Sequence, residues 1–156
     1  MSKPKIIFEM ANNHMGDINH GLLMVNEFGK IAKNFEDSFD FIFKFQFRDI
    51  PTFIHPHFKD RMDIKYVRRF SETELSDEEF IKMFDCARSY GMKIMTTPFD
   101  ENSVDRAEKL SVDIVKIASC SCADWPLLER IALVDKEIIF STAGQDLDTI
   151  DQVVSF

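Results

Sequence analysis

No long apolar run interrupts this sequence. The first hydrophobic stretch, Ile6-Ile7-Phe8, is closed by Glu9. It is too short for the core of a secretory signal, and no segment approaches the roughly 20 apolar residues of a membrane-spanning helix, so no membrane is expected as a partner. Basic residues are also in short supply: 19 Lys and Arg against 27 Asp and Glu leave a formal charge of −8, with no cationic block. Binding to a phosphate backbone depends on clustered cations, so nucleic acid is excluded as a partner. Cysteine is limited to Cys86, Cys120 and Cys122, an odd set without a signal segment, which reads as free thiols in a reducing cytoplasm. Finally, Glu9-Met10-Ala11-Asn12-Asn13-His14 contains no glycine, so the glycine-rich fingerprint of a dinucleotide site is absent after the first strand.

What remains is a chain of 156 residues, 45% hydrophobic, which is one domain's worth of material. Strand and helix patterns alternate along it. Lys5–Met10 is a short apolar strand, and Asp17 caps a helix carrying Leu22, Leu23, Phe28, Ile31 and Ala32. Phe39–Phe47 alternates strictly and predicts a strand. Ser76 and Glu79 form a capping box for a helix that ends at Gly91. Further strands are predicted at Lys93–Thr97, Asp113–Ala118 and Glu137–Ser141. Helices follow over about Glu101–Leu110, from Asp124-Trp125-Pro126, and over Leu147–Val154. Only Arg48–Thr73, rich in charge, Phe and His, breaks the rhythm; it reads as an elaborated loop over one end of the sheet.

Repeated β-α units imply a parallel sheet, either doubly wound or part of an eight-stranded barrel. The missing phosphate loop favours the barrel, and so do polar residues within or at the C-terminal ends of strands. A complete barrel takes about 250 residues. The expected fold is therefore α/β, with residues 1–156 forming the N-terminal portion, about five β-α units, of a TIM (β/α)8 barrel.

The densest chemical signal is Phe41-Ile42-Phe43-Lys44-Phe45-Gln46-Phe47. Side chains alternate across a strand, so the phenylalanines share one face while Ile42, Lys44 and Gln46 share the other. If the Phe face meets the outer helices, Lys44 and Gln46 point into the barrel, where an unpaired ammonium is costly and wants an anion. If the strand is an edge, Lys44 faces solvent instead. Asp113-Ile114-Val115-Lys116-Ile117-Ala118-Ser119 repeats the arrangement, with a hydroxyl at the strand end. Two inward lysines make a clamp for a phosphate or carboxylate; either alone is also consistent with a structural ion pair. Glu9, Asn12 and Asn13 offer a carboxylate and amides suited to sugar hydroxyls, or form a simple capping turn. Asp100, after Thr96-Thr97-Pro98-Phe99, reads as a helix cap. Ser141-Thr142-Ala143-Gly144 offers hydroxyls and N–H groups to an oxyanion, or is an ordinary βα loop. Cys120-Ser121-Cys122 and His55-Pro56-His57 lack the companions a metal site needs, and no metal ligand is assigned to this chain.

Taken together, several motifs resemble the N-acetylneuraminate (sialic acid) synthase family, with its spore coat polysaccharide and pseudaminic or legionaminic acid relatives. They are Glu9-x-x-Asn12-Asn13-His14-x-Gly16-Asp17, Lys44-Phe45-Gln46, Leu75-Ser76-x-Glu78-Glu79-Phe80, Thr97-Pro98-Phe99-Asp100-Glu101, Lys116-Ile117-Ala118-Ser119, Trp125-Pro126-Leu127-Leu128 and Ser141-Thr142-Ala143-Gly144. They occur in the family's order and span nearly the whole chain. The resemblance implies a barrel followed by a small antifreeze-protein-like domain, working as a homodimer. It also implies a synthase that joins phosphoenolpyruvate to an amino sugar, an N-acetylhexosamine aldehyde, with release of phosphate. A divalent metal, Mn²⁺ or Mg²⁺, is implied as Lewis acid, with ligands outside this chain. On the same analogy Lys44 and Lys116 hold the phosphoenolpyruvate carboxylate and neighbouring charge, and Ser119 and Ser141, with Thr142 beside them, contact its phosphate. Glu9 and Gln46 orient the sugar, and Asn12, Asn13 and Phe99 shape its pocket.

The chain also departs from the pattern. Many family members carry an acidic residue two positions after the serine matched by Ser119, where this sequence has Ser121, which cannot serve as a general base of ordinary pKa. Two other readings follow: a homologue that binds a sugar phosphate or assembles without turnover, and another phosphoenolpyruvate-condensing sugar aldolase. The second needs a further basic cluster for a phosphorylated acceptor, and no such cluster stands out in the sequence. Five strands cannot close a barrel, so the 156 residues by themselves are expected to be inactive.

Overall fold

The computed structural model describes residues 3–156. Its elements run β1 (Lys5–Glu9), α1 (Ile18–Asn34), β2 (Asp40–Phe47), α2 (Ile50–Phe53), a 3₁₀ turn (Pro56–Phe58), α3 (Lys65–Glu72), α4 (Asp77–Ser89), β3 (Lys93–Pro98) and α5 (Glu101–Lys109). They continue with β4 (Ile114–Ile117), a second 3₁₀ turn (Ser119–Ser121), α6 (Trp125–Ala132), β5 (Glu137–Phe140) and α7 (Leu147–Ser155). The strands form one sheet in the order β1-β2-β3-β4-β5, every neighbour parallel. A doubly wound sheet reverses its order at a switch point; sequential order is the signature of a barrel wall.

The curl of that wall is visible at its base. Lys5 of β1 and Glu137 of β5 form an ion pair, although the two strands are the opposite edges of the sheet. Laid flat, edges four strand spacings apart would stand about 19 Å from each other. Only a sheet bent into a half-barrel brings them together across its concave face.

Short polar signals start the helices as the sequence predicts. Asp17 accepts from the Asn19 N–H at 2.8 Å at the start of α1, and Asp100 accepts from the Ser103 N–H at 2.7 Å at the start of α5. At α4 the capping box is complete: the Ser76 N–H donates to Glu79 Oε2 (2.8 Å) and the Glu79 N–H donates back to Ser76 Oγ (3.3 Å).

The central strands β2, β3 and β4 are buried on both faces, as in barrels with an outer helical ring, while the edge strands β1 and β5 stay partly exposed. On the convex side Phe43, Phe45 and Phe47 are fully buried beneath α1 and α4; the Phe45 ring centroid lies 5.0 Å from that of Phe84, and Phe47 lies 4.9 Å from Phe80. On the concave side Ile42, Met95 and Ile114 pack together with Ile139. The alternation of β2 thus puts its aromatics outside and its Lys44 and Gln46 inside. Because β2 lies between β1 and β3, the edge-strand reading of Lys44 is ruled out.

One expectation needs correction. Residues 48–73, expected as an elaborated loop over one end of the sheet, hold two short helices, α2 and α3, and a 3₁₀ turn. Only Val67 of α3 is buried, so two turns of half-charged helix give too little apolar periodicity to be recognised. The segment does lie at the C-terminal end of the sheet, where Phe53 and Phe70 reach Arg48, the residue after β2.

Candidate active site

The C-terminal ends of β1, β2 and β4 bring three charged side chains to one place. Glu9 and Lys44 are register partners on neighbouring parallel strands, and their side chains form an ion pair. The Lys44 side chain retains only 12% exposure, against 41% for Glu9. Lys116 enters from β4, and alternate strands supply a common layer in such barrels. Its pKa is lowered, first by burial and then by the positive charge of Lys44, with Glu9 opposing the shift. Lys116 makes no ion pair among the described residues. The paired-lysine alternative therefore holds for Lys44 but not for Lys116. One carboxylate faces two ammonium groups, so the layer carries a net positive charge and has capacity for an anion.

Hydroxyl groups surround the layer. The Thr97 side chain is buried on β3 in register with Gln46, and its Oγ1 has no hydrogen-bond partner. Ser119 and Ser141 are half-buried where the β4 and β5 chains leave the sheet. The Ser119 carbonyl accepts from Gln145 Nε2 at 3.0 Å, and the Ser141 carbonyl accepts from the Cys122 thiol at 3.2 Å. Backbone bonds thus fix both residues, and neither hydroxyl is committed to a protein partner among the described residues. Thr142 is exposed beyond Ser141. Ser121 is buried in the turn after Ser119, its hydroxyl 4.0 Å from the Cys120 sulfur.

A second group lies further along β2. Gln46 Oε1 accepts from Arg48 Nη2 at 3.0 Å, and Asn12 Oδ1 accepts from Arg48 Nη1 at 3.5 Å. Asn12 Nδ2 donates to Thr73 Oγ1 at 2.6 Å. The Arg48 guanidinium carbon stands 4.0 Å from the Phe99 ring centroid and 4.3 Å from that of Phe70. Burial, followed by the nearby charge of Arg69, pulls the Arg48 pKa down to about 10, so it stays charged at neutral pH. Gln46, Asn12 and Phe99 thus come together, whereas Asn13 is exposed and makes no side-chain bond to them among the described residues. His14 is buried against Phe80, and burial is the main reason its pKa is lowered.

Sequence reasoning missed Arg48 and Thr97. Both were within reach: Arg48 continues the every-second-residue series Lys44, Gln46, Arg48, and Thr97 follows Met95 on the inward face of β3.

The model of the NeuB family matches residues 31–156. The chain belongs to the NeuB family. Among solved structures, one described as spore coat polysaccharide biosynthesis protein E from Chromobacterium violaceum superimposes with a TM-score of 0.92 at 51% identity, over 99% of this chain and 45% of that one. The N-acetylneuraminic acid synthetase of Leptospira borgpetersenii, solved with citrate, gives a TM-score of 0.79 at 25% identity, over 99% of this chain and 50% of that one. The N,N'-diacetyllegionaminic acid synthase of Campylobacter jejuni is 28% identical over 99% of this chain and 47% of its own length. The chain thus spans about half the length of these NeuB-family relatives.

Proposed function

We propose that this chain supplies the phosphoenolpyruvate-binding part of a synthase that condenses phosphoenolpyruvate with an N-acetylhexosamine-type aldehyde, giving a nonulosonic acid and phosphate. The observation that carries the proposal is the pair of inward lysines, Lys44 and Lys116, at the mouth of a half-barrel, of which only Lys44 is paired among the described residues, with Glu9. The names of the relatives, sialic and legionaminic acid synthases among them, support the sugar-acid synthase part of this reading.

In this reading the carboxylate of phosphoenolpyruvate meets Lys44 and Lys116 in charge-assisted contacts, while the hydroxyls of Thr97, Ser119 and Ser141 turn toward its remaining oxygens. Thr142 lies at the rim. Glu9, released in part from Lys44 when the anion arrives, and Gln46 orient the sugar aldehyde. C3 of the enol phosphate forms the new carbon–carbon bond to the aldehyde carbon, water adds at C2, and the C2–O bond to phosphate breaks.

The divalent cation implied by the family does not fit the residues of this chain. No three His, Cys, Asp or Glu side chains converge among the described residues, and Glu9 is engaged by Lys44. Any such ion would take its ligands from outside these 156 residues.

The test is phosphate release from phosphoenolpyruvate by the protein of the complete reading frame, with Mn²⁺ and a panel of N-acetylhexosamines. Sugar-dependent release supports the proposal. Binding of phosphoenolpyruvate without release with any sugar overturns it in favour of a non-catalytic binding protein, the reading that Ser121 favours.

A further inference from the structure

We infer that Arg48 is a positioning residue that fixes Gln46 as a hydrogen-bond donor toward the acceptor sugar; this rests on the reading of the site given above. The argument begins with what an arginine can offer. A guanidinium has five N–H groups and no acceptor, so the amide oxygens of Gln46 and Asn12, not their nitrogens, must face it. The contacts agree: Nη2 donates to Gln46 Oε1 at 3.0 Å and Nη1 lies 3.5 Å from Asn12 Oδ1. With its oxygen turned toward Arg48, Gln46 is left to present its NH₂ group, which has no partner among the described residues. The ligand atom it reads is then an acceptor, a sugar hydroxyl oxygen or an amide carbonyl oxygen, and not a donor.

The guanidinium is itself held rigid. Its carbon is 4.0 Å from the Phe99 ring centroid and 4.3 Å from that of Phe70, with Phe53 at 5.8 Å. Phe53 and Phe70 belong to α2 and α3, the segment that interrupts the regular β-α alternation. That segment therefore acts on the site through Arg48. The cavity beside Arg48, Asn12, Gln46 and Thr73 measures about 30 Å³. That is room for one water molecule, so nothing larger comes between Arg48 and the amides of Gln46 and Asn12.

The experiment compares wild type, R48M, R48K, Q46M and the R48M/Q46M double variant, each from the complete reading frame. In R48M the KM for the acceptor sugar rises about tenfold, the effect of one misdirected hydrogen bond, while the KM for phosphoenolpyruvate is unchanged. R48K recovers little, because an ammonium cannot span both amides as the planar fork does. In the Q46M background R48M adds almost nothing, since Arg48 acts through Gln46. Equal loss for both substrates, or full additivity of the two substitutions, overturns the inference.

A wild type that turns over no sugar refutes the functional reading but not Arg48. Thermal unfolding of the same four-member cycle then decides. A Tm loss in the double variant well below the sum of the single losses supports the coupling, and an additive loss overturns it.

Discussion

Glu9 and Lys44 occupy the same register position on adjacent strands, and their side chains pair at the mouth of the half-barrel. The pair leaves Lys116 as the uncompensated charge of the layer. Glu9 competes with an incoming anion for Lys44, and E9Q is expected to bind phosphoenolpyruvate about fivefold more tightly, the factor carried by roughly 1 kcal/mol of relieved repulsion. The same variant should lose sugar-dependent turnover. Calorimetric titration checks the first expectation; weaker binding in E9Q would show that Glu9 assists the anion.

Lys116 sets a pH dependence. Burial, aided by Lys44, lowers its pKa, so it gives up its proton at a lower pH than a free lysine does. An anion favours the protonated form. Affinity for phosphoenolpyruvate should therefore be flat near neutrality, where the ligand's phosphate is past its second ionisation near pH 6, and fall as pH rises through the lowered pKa. K116R, which keeps its charge across that range, should remove the fall. A titration series from pH 7 to the alkaline limit of stability, read by fluorescence or calorimetry, makes the comparison.

Replacing Lys116 by methionine should abolish tight phosphoenolpyruvate binding and leave Tm unchanged or higher, because a charge held partly out of water for function opposes folding. A drop of several degrees would make Lys116 a structural residue.

The ion pair at the other end of the barrel should behave differently. Lys5 and Glu137 are 44% and 41% exposed, so E137Q should cost at most about 1 kcal/mol in urea unfolding and leave ligand binding untouched. Base-of-barrel residues serve stability, mouth residues serve chemistry.

Gly29 provides a test of packing. In an exposed helix Gly→Ala stabilises by about 1 kcal/mol. Here a Cβ on Gly29 would fall on the ring of Tyr90, whose hydroxyl donates to Asn26 Oδ1 at 3.1 Å. G29A should therefore destabilise, by about 1–3 kcal/mol, and lower the denaturation midpoint.

Much of this architecture is legible in local pattern. The Phe41-to-Phe47 alternation alone assigns an outer and an inner face, and Ser76 with Glu79 announces α4. Pairings across large sequence separation are not legible in that way. Nothing near Glu9 predicts Lys44 as its partner, because strand register is set by the packing of the entire sheet. Likewise the segment that forms α2 and α3 acquires its meaning from Phe53 and Phe70 covering Arg48, contacts made in space and, for Phe70, across a wide sequence separation. Thr97 was hidden differently: a threonine in a strand is ordinary, and only its buried, unpartnered hydroxyl in register with Gln46 distinguishes it.

The most direct test of the two-lysine layer is a calorimetric titration of phosphoenolpyruvate into the protein of the complete reading frame and its K44M and K116M variants. Saturable binding by the wild type, weakened at least about tenfold by each substitution, is the predicted result, since a hydrogen bond to a charged group carries about 1.5–3 kcal/mol. Equal affinity in all three proteins would contradict the account and return both lysines to the structure of the barrel.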